Sequence, residues 1–507
     1  MRFFRAIKDL AVPGKIHLFA LLLGGLGVLS FAPFFLSPLM LFSLLGLFWL
    51  WLKADAPRQG FKIGLWFGLG LFGFGVSWLF SSIYFYSSVW LPLAVILTFG
   101  FVFYLALFSA LAGWLACRLR TADTYWNLLL VFPLVWMLGE LLRGSVFGGY
   151  PFLLVGVSHL HTWVDGYAPL LGVWGVSLAV AMSASVLLLL VKKQAWVTSA
   201  LVMGLVWFGG LALQQVQWVK PLGKPIDIAL LQGNVPQERK WLAEEFMPTL
   251  KTYVGMTRLN LDAQVIVWPE TAIPAYYKIV EKGALFSFIK DAQILNADVL
   301  IGVIDSAPQS NDYYNALINV HKPEDRYYKH HLVPFSEYFP FNDAFKFLSH
   351  LFDIPYATFT AGNDEPKPME LGGQKAGLSI CFEMAFGEEL ARQLPEAKYL
   401  ITVSNDAWFA HTFEPAQQLQ DVQMRALELG REIARSTNTG YTAIVDVKGR
   451  IKQQIPAYQT GFLRGMIQPY DGMTFYAQWK WWPIMTILGL MLLALLWRKR
   501  LEAKQES

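Results

Sequence analysis

Charge is scarce in this sequence. Only 15% of its 507 residues are Asp, Glu, Lys or Arg, against about a quarter in ordinary soluble domains. Beside 55% hydrophobic residues, that deficit excludes a wholly soluble protein and a disordered one, because so much apolar side chain has no aqueous surface to cover it. Cysteine is nearly absent. Cys117 and Cys381 are the only two, too few for a secreted disulfide scaffold. A strong excess of one charge sign is missing as well. The net charge of +4 does not point to nucleic acid, and where the charges sit matters more than their sum. No internal repeat is evident, which argues against a repeat-built transporter.

What the chain has instead is long apolar runs. A bilayer core of about 30 Å needs roughly 20 apolar residues to cross as a helix. Such runs lie near Ile16–Ser30, Phe34–Leu52, Phe61–Phe80, Trp90–Leu115, Trp126–Leu142, Leu170–Val191 and Trp196–Leu213, with an eighth near Trp481–Trp497. The stretch between the last two, about Gln214 to Lys480, has ordinary composition. The expected organisation is a polytopic α-helical membrane domain over 1–215 with seven spans, a globular domain over 216–475, and an eighth transmembrane helix with a tail over 476–507. The first run follows Arg2, Arg5 and Lys8 and is similar to a secretory signal. More spans follow, so it is expected to stay uncleaved.

Basic residues set the orientation, because Lys and Arg collect on cytoplasmic loops. With the N-terminus inside, the inner segments hold Arg2, Arg5, Lys8 and Lys15; Lys53, Arg58 and Lys62; Arg118 and Arg120; Lys192 and Lys193; and Arg498, Lys499 and Arg500. Seven crossings then put the globular domain on the outer face, the periplasm in a bacterium, and both termini in the cytoplasm. Arg143 is the exception. It lies three residues from Glu140, on one helix face, and reads either as an interfacial pair that snorkels to water or as a contact beneath the globular domain. Gly24-Gly25 and Gly68, Gly70, Gly73 and Gly75 are expected to let helices pack closely.

The globular domain alternates strand and helix. Strands are expected at Ile226–Gln232, Val265–Trp268, Asp298–Ile304, Tyr314–Val320, Arg326–Lys329, up to Cys381, at Tyr399–Val403, Tyr441–Val447 and Ile451–Ile455. Helices are expected near Lys240–Asn260, Lys278–Leu295, Gly387–Leu394 and Ala416–Ser436. The nearly unbroken apolar runs at Ile226–Leu231 and Val265–Val267 fit strands covered on both faces. The alternation argues for a layered α/β domain.

Three polar residues fall where such a domain builds an active site, at the carboxyl ends of strands. Glu270 follows Val265-Ile-Val-Trp-Pro. Lys329 ends Arg326-Tyr-Tyr. Cys381 ends Gly377-Leu-Ser-Ile. Alone, each has an ordinary reading: a capping carboxylate, a solvated lysine, an inert small hydrophobe. Together they supply a desolvated general base, an oxyanion-stabilising ammonium and a nucleophilic thiol, with a backbone N–H near Phe382 as a second oxyanion donor. The His330-His331 pair lacks the Cys and His partners of a metal site, and adjacent residues on an extended chain point opposite ways. Cys117, at the inner end of the fourth span, is expected to have no chemical role.

The order Trp-Pro-Glu270-Thr, Tyr-Tyr-Lys329-His-His-Leu-Val-Pro-Phe-Ser-Glu and Ile-Cys381-Phe-Glu resembles the Glu-Lys-Cys triad of the nitrilase superfamily. A nitrilase-like domain between seven spans and one is similar to the membrane-bound branch, the apolipoprotein N-acyltransferases. Ser404-Asn-Asp-Ala-Trp-Phe and Met424-Arg-Ala-Leu-Glu belong to that branch. The resemblance implies an α-β-β-α sandwich and an acyl chain passed from the sn-1 position of a membrane phospholipid, typically phosphatidylethanolamine, through a Cys381 thioester to the amine of a diacylglyceryl-cysteine in an apolipoprotein. It implies no metal or other cofactor. A monomer is the expected state. Glu337 and Glu383 match glutamates beside the triad, and Trp241 matches a tryptophan on a mobile loop. Tyr338, Phe341, Asn405 and Trp408 are candidate substrate contacts. Phe382, Ser336 and Ala410 stand where many members have Tyr, Gly and Gly. The aromatic stretch Phe335–Phe352 reads as core or as a lipid-facing arm. Two rivals are an amidase or phospholipase of the same superfamily that uses water, and a transporter or sensor whose outer domain only binds.

Overall fold

The computed structural model describes residues 13–506 except 88, 193–195, 284, 286–287, 289–296, 307–311, 339–358, 364 and 410. The chain divides into two compact units, Met1–Phe80 with Leu91–Val216 and Trp479–Ser507, and Ser81–Trp90 with Gln217–Gln478. The decapeptide Ser81–Trp90, which falls within the expected membrane domain over 1–215, therefore groups with the globular unit.

The first unit is helical. Its elements include α1 (Pro13–Val28), α2 (Pro38–Lys53), α3 (Pro57–Gly75), α4 (Leu79–Tyr86, shared with the second unit), α5 (Leu91–Leu119), α6 (Thr124–Arg143), α7 (Ala168–Val191) and α8 (Trp196–Leu213). Among the described residues four helices are long and apolar enough to cross a membrane: α5, α6, Trp163–Val191 (which contains α7) and α8. The pair α3 and α4, bent by 57°, makes a fifth if counted as one span. The helices Gly14–Val28 and Pro38–Lys53 are apolar but shorter. The closing helix Trp482–Glu506 carries the last apolar run and then Arg498, Lys499 and Arg500. Glycine sets the closeness of α3 and α5. A side chain at Gly64 would strike the Ser109 backbone, and one at Gly113 the Gly60 carbonyl.

Glu140 and Arg143 do not snorkel. They are 4% and 3% exposed. Glu140 accepts the Val155 N–H at 2.8 Å, and Arg143 donates to the carbonyls of Tyr150 and Phe152. These two residues satisfy the irregular backbone that follows α6, which has no ladder of its own to join.

The second unit is built on two large sheets, beside a short antiparallel ladder of Lys220–Pro221 with Tyr470–Asp471. The strands of the large sheets are β1 (Ile226–Gln232), β2 (Val265–Val267), β3 (Asp298–Ser306), β4 (Tyr313–Asn319), β5 (Arg326–Tyr328), β6 (Met369–Leu371), β7 (Gln374–Ile380), β8 (Tyr399–Ser404), β9 (Ile433–Thr437), β10 (Thr442–Val445), β11 (Ile451–Ile455) and β12 (Gly461–Ile467). One sheet runs β12-β1-β2-β3-β4-β5, with Ile273–Tyr276 beside β3, and the other β11-β10-β9-β8-β7-β6. β1, β2 and β3 are parallel, as are β7, β8 and β9. An apolar core joins the sheets through Ile228, Leu230, Val265, Val267, Leu378, Ile380, Ile401 and Val403. A second core lies against the first sheet, where Trp268 stacks on Tyr253 of the helix Ala243–Arg258. Each buried aliphatic side chain contributes roughly 1.5–3 kcal/mol, so apolar contact holds the two sets of parallel strand ends together. Ser436 Oγ adds a polar link, donating across the sheets to Leu231 O at 2.8 Å.

Several expected boundaries move. The helix expected over Ala416–Ser436 is Glu414–Leu429, because Gly430 at φ 62° ends it and β9 begins at Ile433. The helix expected over Lys240–Asn260 is two, Gln237–Lys240 and Ala243–Arg258. The helix expected near Lys278–Leu295 is described as helix over Tyr277–Glu281, with much of the remainder outside the described residues.

Candidate active site

Cys381 follows the last residue of β7 and holds a left-handed conformation, φ 55°. The chain there leaves an extended strand and enters the 3-10 turn Cys381–Ala385. A non-glycine residue in this region carries backbone strain of order 1–3 kcal/mol, and the reversal turns the thiol off the strand end. Two contacts hold it. Glu383 folds back to accept the Ile380 N–H at 2.6 Å, and buried Arg425, paired to Glu428 at 2.6 Å, donates to Ala385 O at 2.9 Å.

Glu270 lies beyond β2, after buried Trp268 and Pro269, and is 8% exposed. Its carboxylate accepts the Asn315 amide on Oε1 at 2.7 Å and the Asn405 backbone N–H on Oε2 at 2.9 Å. Asn405 follows β8, so the second contact crosses from one sheet to the other. Lys329 follows β5 and is 1% exposed. Its ammonium is 3.8 Å from Glu270 Oε1 and 2.8 Å from Glu337 Oε2. Asn315 also donates to Glu337 at 3.2 Å. Glu270, Lys329, Glu337 and Asn315 therefore form one buried polar cluster.

Electrostatics ties Cys381 to the same cluster. Burial pushes its thiol well up, the Glu270 charge pushes the same way, and Lys329 opposes. Burial also raises the Glu270 carboxyl, against the pull of Lys329. For Lys329 burial works against the charge, but Glu337, Glu270 and Cys381 outweigh it and hold the ammonium above its ordinary range. The arrangement sets a buried thiol and a buried carboxyl, both of raised pKa, with a fixed cation. A negative charge forming at the sulfur, or on a carbonyl oxygen it attacks, meets that cation at once.

Lys329 and Cys381 are also joined mechanically. Glu383 is fully buried. It accepts the Tyr327 hydroxyl at 2.7 Å, the His330 N–H at 2.7 Å and the His331 N–H at 3.2 Å. The His330 ring reaches Glu383 at 2.7 Å and Glu389 at 3.1 Å, and His331 Nδ1 meets Glu389 at 2.9 Å. This corrects the expectation that the two histidines point apart. The strand has ended at Tyr328, and both rings turn to one carboxylate. Against burial, these carboxylates raise His330 to about 10, while Glu389, also opposed by burial, is lowered to about 2 by the two histidines.

Two family sequence models match the chain. One described as "Apolipoprotein N-acyltransferase N-terminal domain" covers residues 23–186, and one described as "Carbon-nitrogen hydrolase" covers 227–471. An apolipoprotein N-acyltransferase of Methylococcus capsulatus is 42% identical over 92% of this chain and 93% of its own. The chain belongs to the apolipoprotein N-acyltransferase family. A second member, from Nitrosomonas europaea, is 38% identical over 94% of this chain and 96% of its own. The globular unit accordingly has the nitrilase-like carbon–nitrogen hydrolase fold, with apolar helices preceding it.

The other candidates of this family member divide. Asn405 is buried in the site: its side chain donates to Gln237 at 2.9 Å and accepts from Asn438 at 2.9 Å. Phe382 is buried against His331 and Phe386. Trp241 is 54% exposed. Trp408 packs edge-on against Tyr86 at 5.9 Å. Tyr338 is half-buried beside Phe335, whose N–H donates to its carbonyl. Phe341 and most of the aromatic stretch fall outside the described residues. Asn315, Gln237, Lys240, Asn438 and Glu389 were not singled out from sequence. Gln237 and Lys240 lie in the segment that carries Trp241, the one signal that pointed to them.

Proposed function

We propose that this chain transfers a fatty acyl group from the sn-1 position of a membrane phospholipid, such as phosphatidylethanolamine, to the N-terminal amine of diacylglyceryl-cysteine in an apolipoprotein. Cys381 gives its proton to Glu270 and attacks the ester carbonyl carbon. Lys329 and the Phe382 N–H stabilise the oxyanion. The ester C–O bond breaks, the lysophospholipid leaves with the proton from Glu270, and a thioester remains. The acceptor amine then attacks the thioester, Glu270 takes its proton, the C–S bond breaks and the thiol is restored. The reading includes eight crossings, a four-layer α-β-β-α catalytic domain on the periplasmic side of a bacterial inner membrane, both termini in the cytoplasm, and a monomer. Asn405, Trp241, Tyr338, Phe341 and Trp408 are proposed to contact substrate. The observation that carries it is the 3.8 Å approach of Lys329 to Glu270 beside the strained Cys381 turn.

Full-length protein incubated with acyl-labelled phosphatidylethanolamine should carry the label on the Cys381 peptide by mass spectrometry. Addition of a diacylglyceryl-cysteine peptide should discharge it as amide. Glu270→Gln, Lys329→Ala and Cys381→Ser should each lower turnover about 100-fold or more. Label released as free fatty acid despite the peptide would assign a hydrolase instead. A Cys381→Ala protein that still transfers acyl groups would overturn the mechanism.

A further inference from the structure

The triad cluster contains a second buried cation. Lys240 is 2% exposed although it belongs to a short surface turn, and its neighbours Trp241 and Leu242 are 54% and 44% exposed. Burying a lone ammonium is costly unless something nearby rewards it. Here the Lys240 ammonium donates to the backbone carbonyl of Glu270 at 3.3 Å. The same turn has a second tie to that residue: Gln237 Oε1 accepts from the Asn405 side chain, whose backbone N–H donates to Glu270 Oε2. One end of the turn holds the Glu270 main chain, and the other holds, through Asn405, its carboxylate.

Charge counting gives Lys240 a purpose. Glu270 and Glu337 are both carboxylates, and Lys329 is nearer Glu337 at 2.8 Å than Glu270 at 3.8 Å. With Lys329 alone the cluster holds one cation for two anions, before any negative charge forms at Cys381. Lys240 makes it two for two. We propose that Lys240 is a positioning residue for the reaction: it holds the Glu270 segment, supplies the second positive charge beside the general base, and makes the turn bearing Trp241 and that base one mechanical unit. This rests on Glu270 being the base, as proposed above. The groups that bear on Glu270 are Lys329, Glu337, Cys381 and Lys240, with Asn315 and the Asn405 N–H as hydrogen-bond donors. Lys240 itself is depressed to about 8 by burial, against the Glu270 charge that favours its protonation. A positive charge there favours ionised Glu270, so its removal moves Glu270 ionisation to higher pH.

The test reads thiol chemistry as well as turnover. Full-length wild type, Lys240→Gln, Lys240→Arg and Glu270→Gln are treated with iodoacetamide across pH 5–9, and modification of the Cys381 peptide is timed by mass spectrometry. Acyl transfer is measured in parallel. Lys240→Gln keeps a donor for the carbonyl but loses the charge. It should move the acid limb of both profiles upward by about half a pH unit or more, a smaller step than the one to three units of a directly paired carboxylate. Lys240→Arg should keep the wild-type limb. A folded Lys240→Gln protein with an unmoved limb, whatever its plateau rate, overturns the proposal. So does a limb that moves equally in Lys240→Arg. If the wild-type limb survives in Glu270→Gln, the base assignment itself fails, an outcome separate from the other two.

Discussion

The shortest ion pair in the triad cluster does not involve the proposed base. Lys329 lies 2.8 Å from Glu337, and both side chains are buried, so Glu337 fixes where the ammonium points. Removing one partner of a buried pair strands the other charge, at a cost of about 3–5 kcal/mol. Glu337→Gln is therefore expected to lower both the melting temperature and the transfer rate. An unchanged melt with an unchanged rate would show that Lys329 is held by other groups. Glu270, Lys329 and Cys381 were legible from sequence because each stands just after a strand, and Glu337 was legible only through the family resemblance. Asn315 was not. It lies within β4 among apolar residues, and nothing in strand periodicity distinguishes an asparagine that bridges two carboxylates from one that faces solvent.

At the scale of elements, two short segments are held by charge. The His330 ring and the carboxylates of Glu383 and Glu389 clasp the loop after β5 to the turn after β7. His330 is raised from 6.5 to about 10, so its stabilisation is complete below about pH 6.5 and is lost as pH rises toward 10. Glu389 is depressed from 4.5 to about 2, so its contribution is complete above about pH 4.5 and is lost as pH falls toward 2. The clasp contributes most between those two values. A His330→Phe variant should lose the alkaline decline of melting temperature between pH 6.5 and 10, and an equally steep decline would exclude His330 as its source. The glycine that ends Glu414–Leu429 is a second such point. A Cβ at Gly430 would lie 2.8 Å from Val219 and 3.0 Å from Thr474 at a φ of 62°. Gly430→Ala should cost about 1 kcal/mol or more, lowering the melt by about 2–4 °C per kcal/mol, with the triad's chemistry intact. Sequence periodicity places that helix end too late, because helix-forming residues continue past it. The local signal was the glycine, and the competing signal was β9, which forms only when β8 and β10 are beside it.

At the scale of the whole molecule, the proposed orientation rests on the basic residues. On a Cys117→Ser, Cys381→Ser background, a Lys448→Cys protein should react with an impermeant maleimide in intact spheroplasts, and an Arg500→Cys protein only after permeabilisation. The reverse pattern would put the catalytic unit in the cytoplasm. The sequence by itself determined the two-part organisation, the apolar segments, most of the parallel strands and the three strand-end positions proposed to react, because each is written in composition or in spacing along one segment. Tertiary structure alone decided that Asn315 bridges two carboxylates, that Lys240 is buried on the Glu270 carbonyl, that both histidines turn to Glu389, and that Ser81–Trp90 groups with the globular unit. Each of these joins residues far apart in the chain or set on different elements. Their energies depend on desolvation and on distances of about 3 Å, which exist only after the two sheets have closed on their shared core.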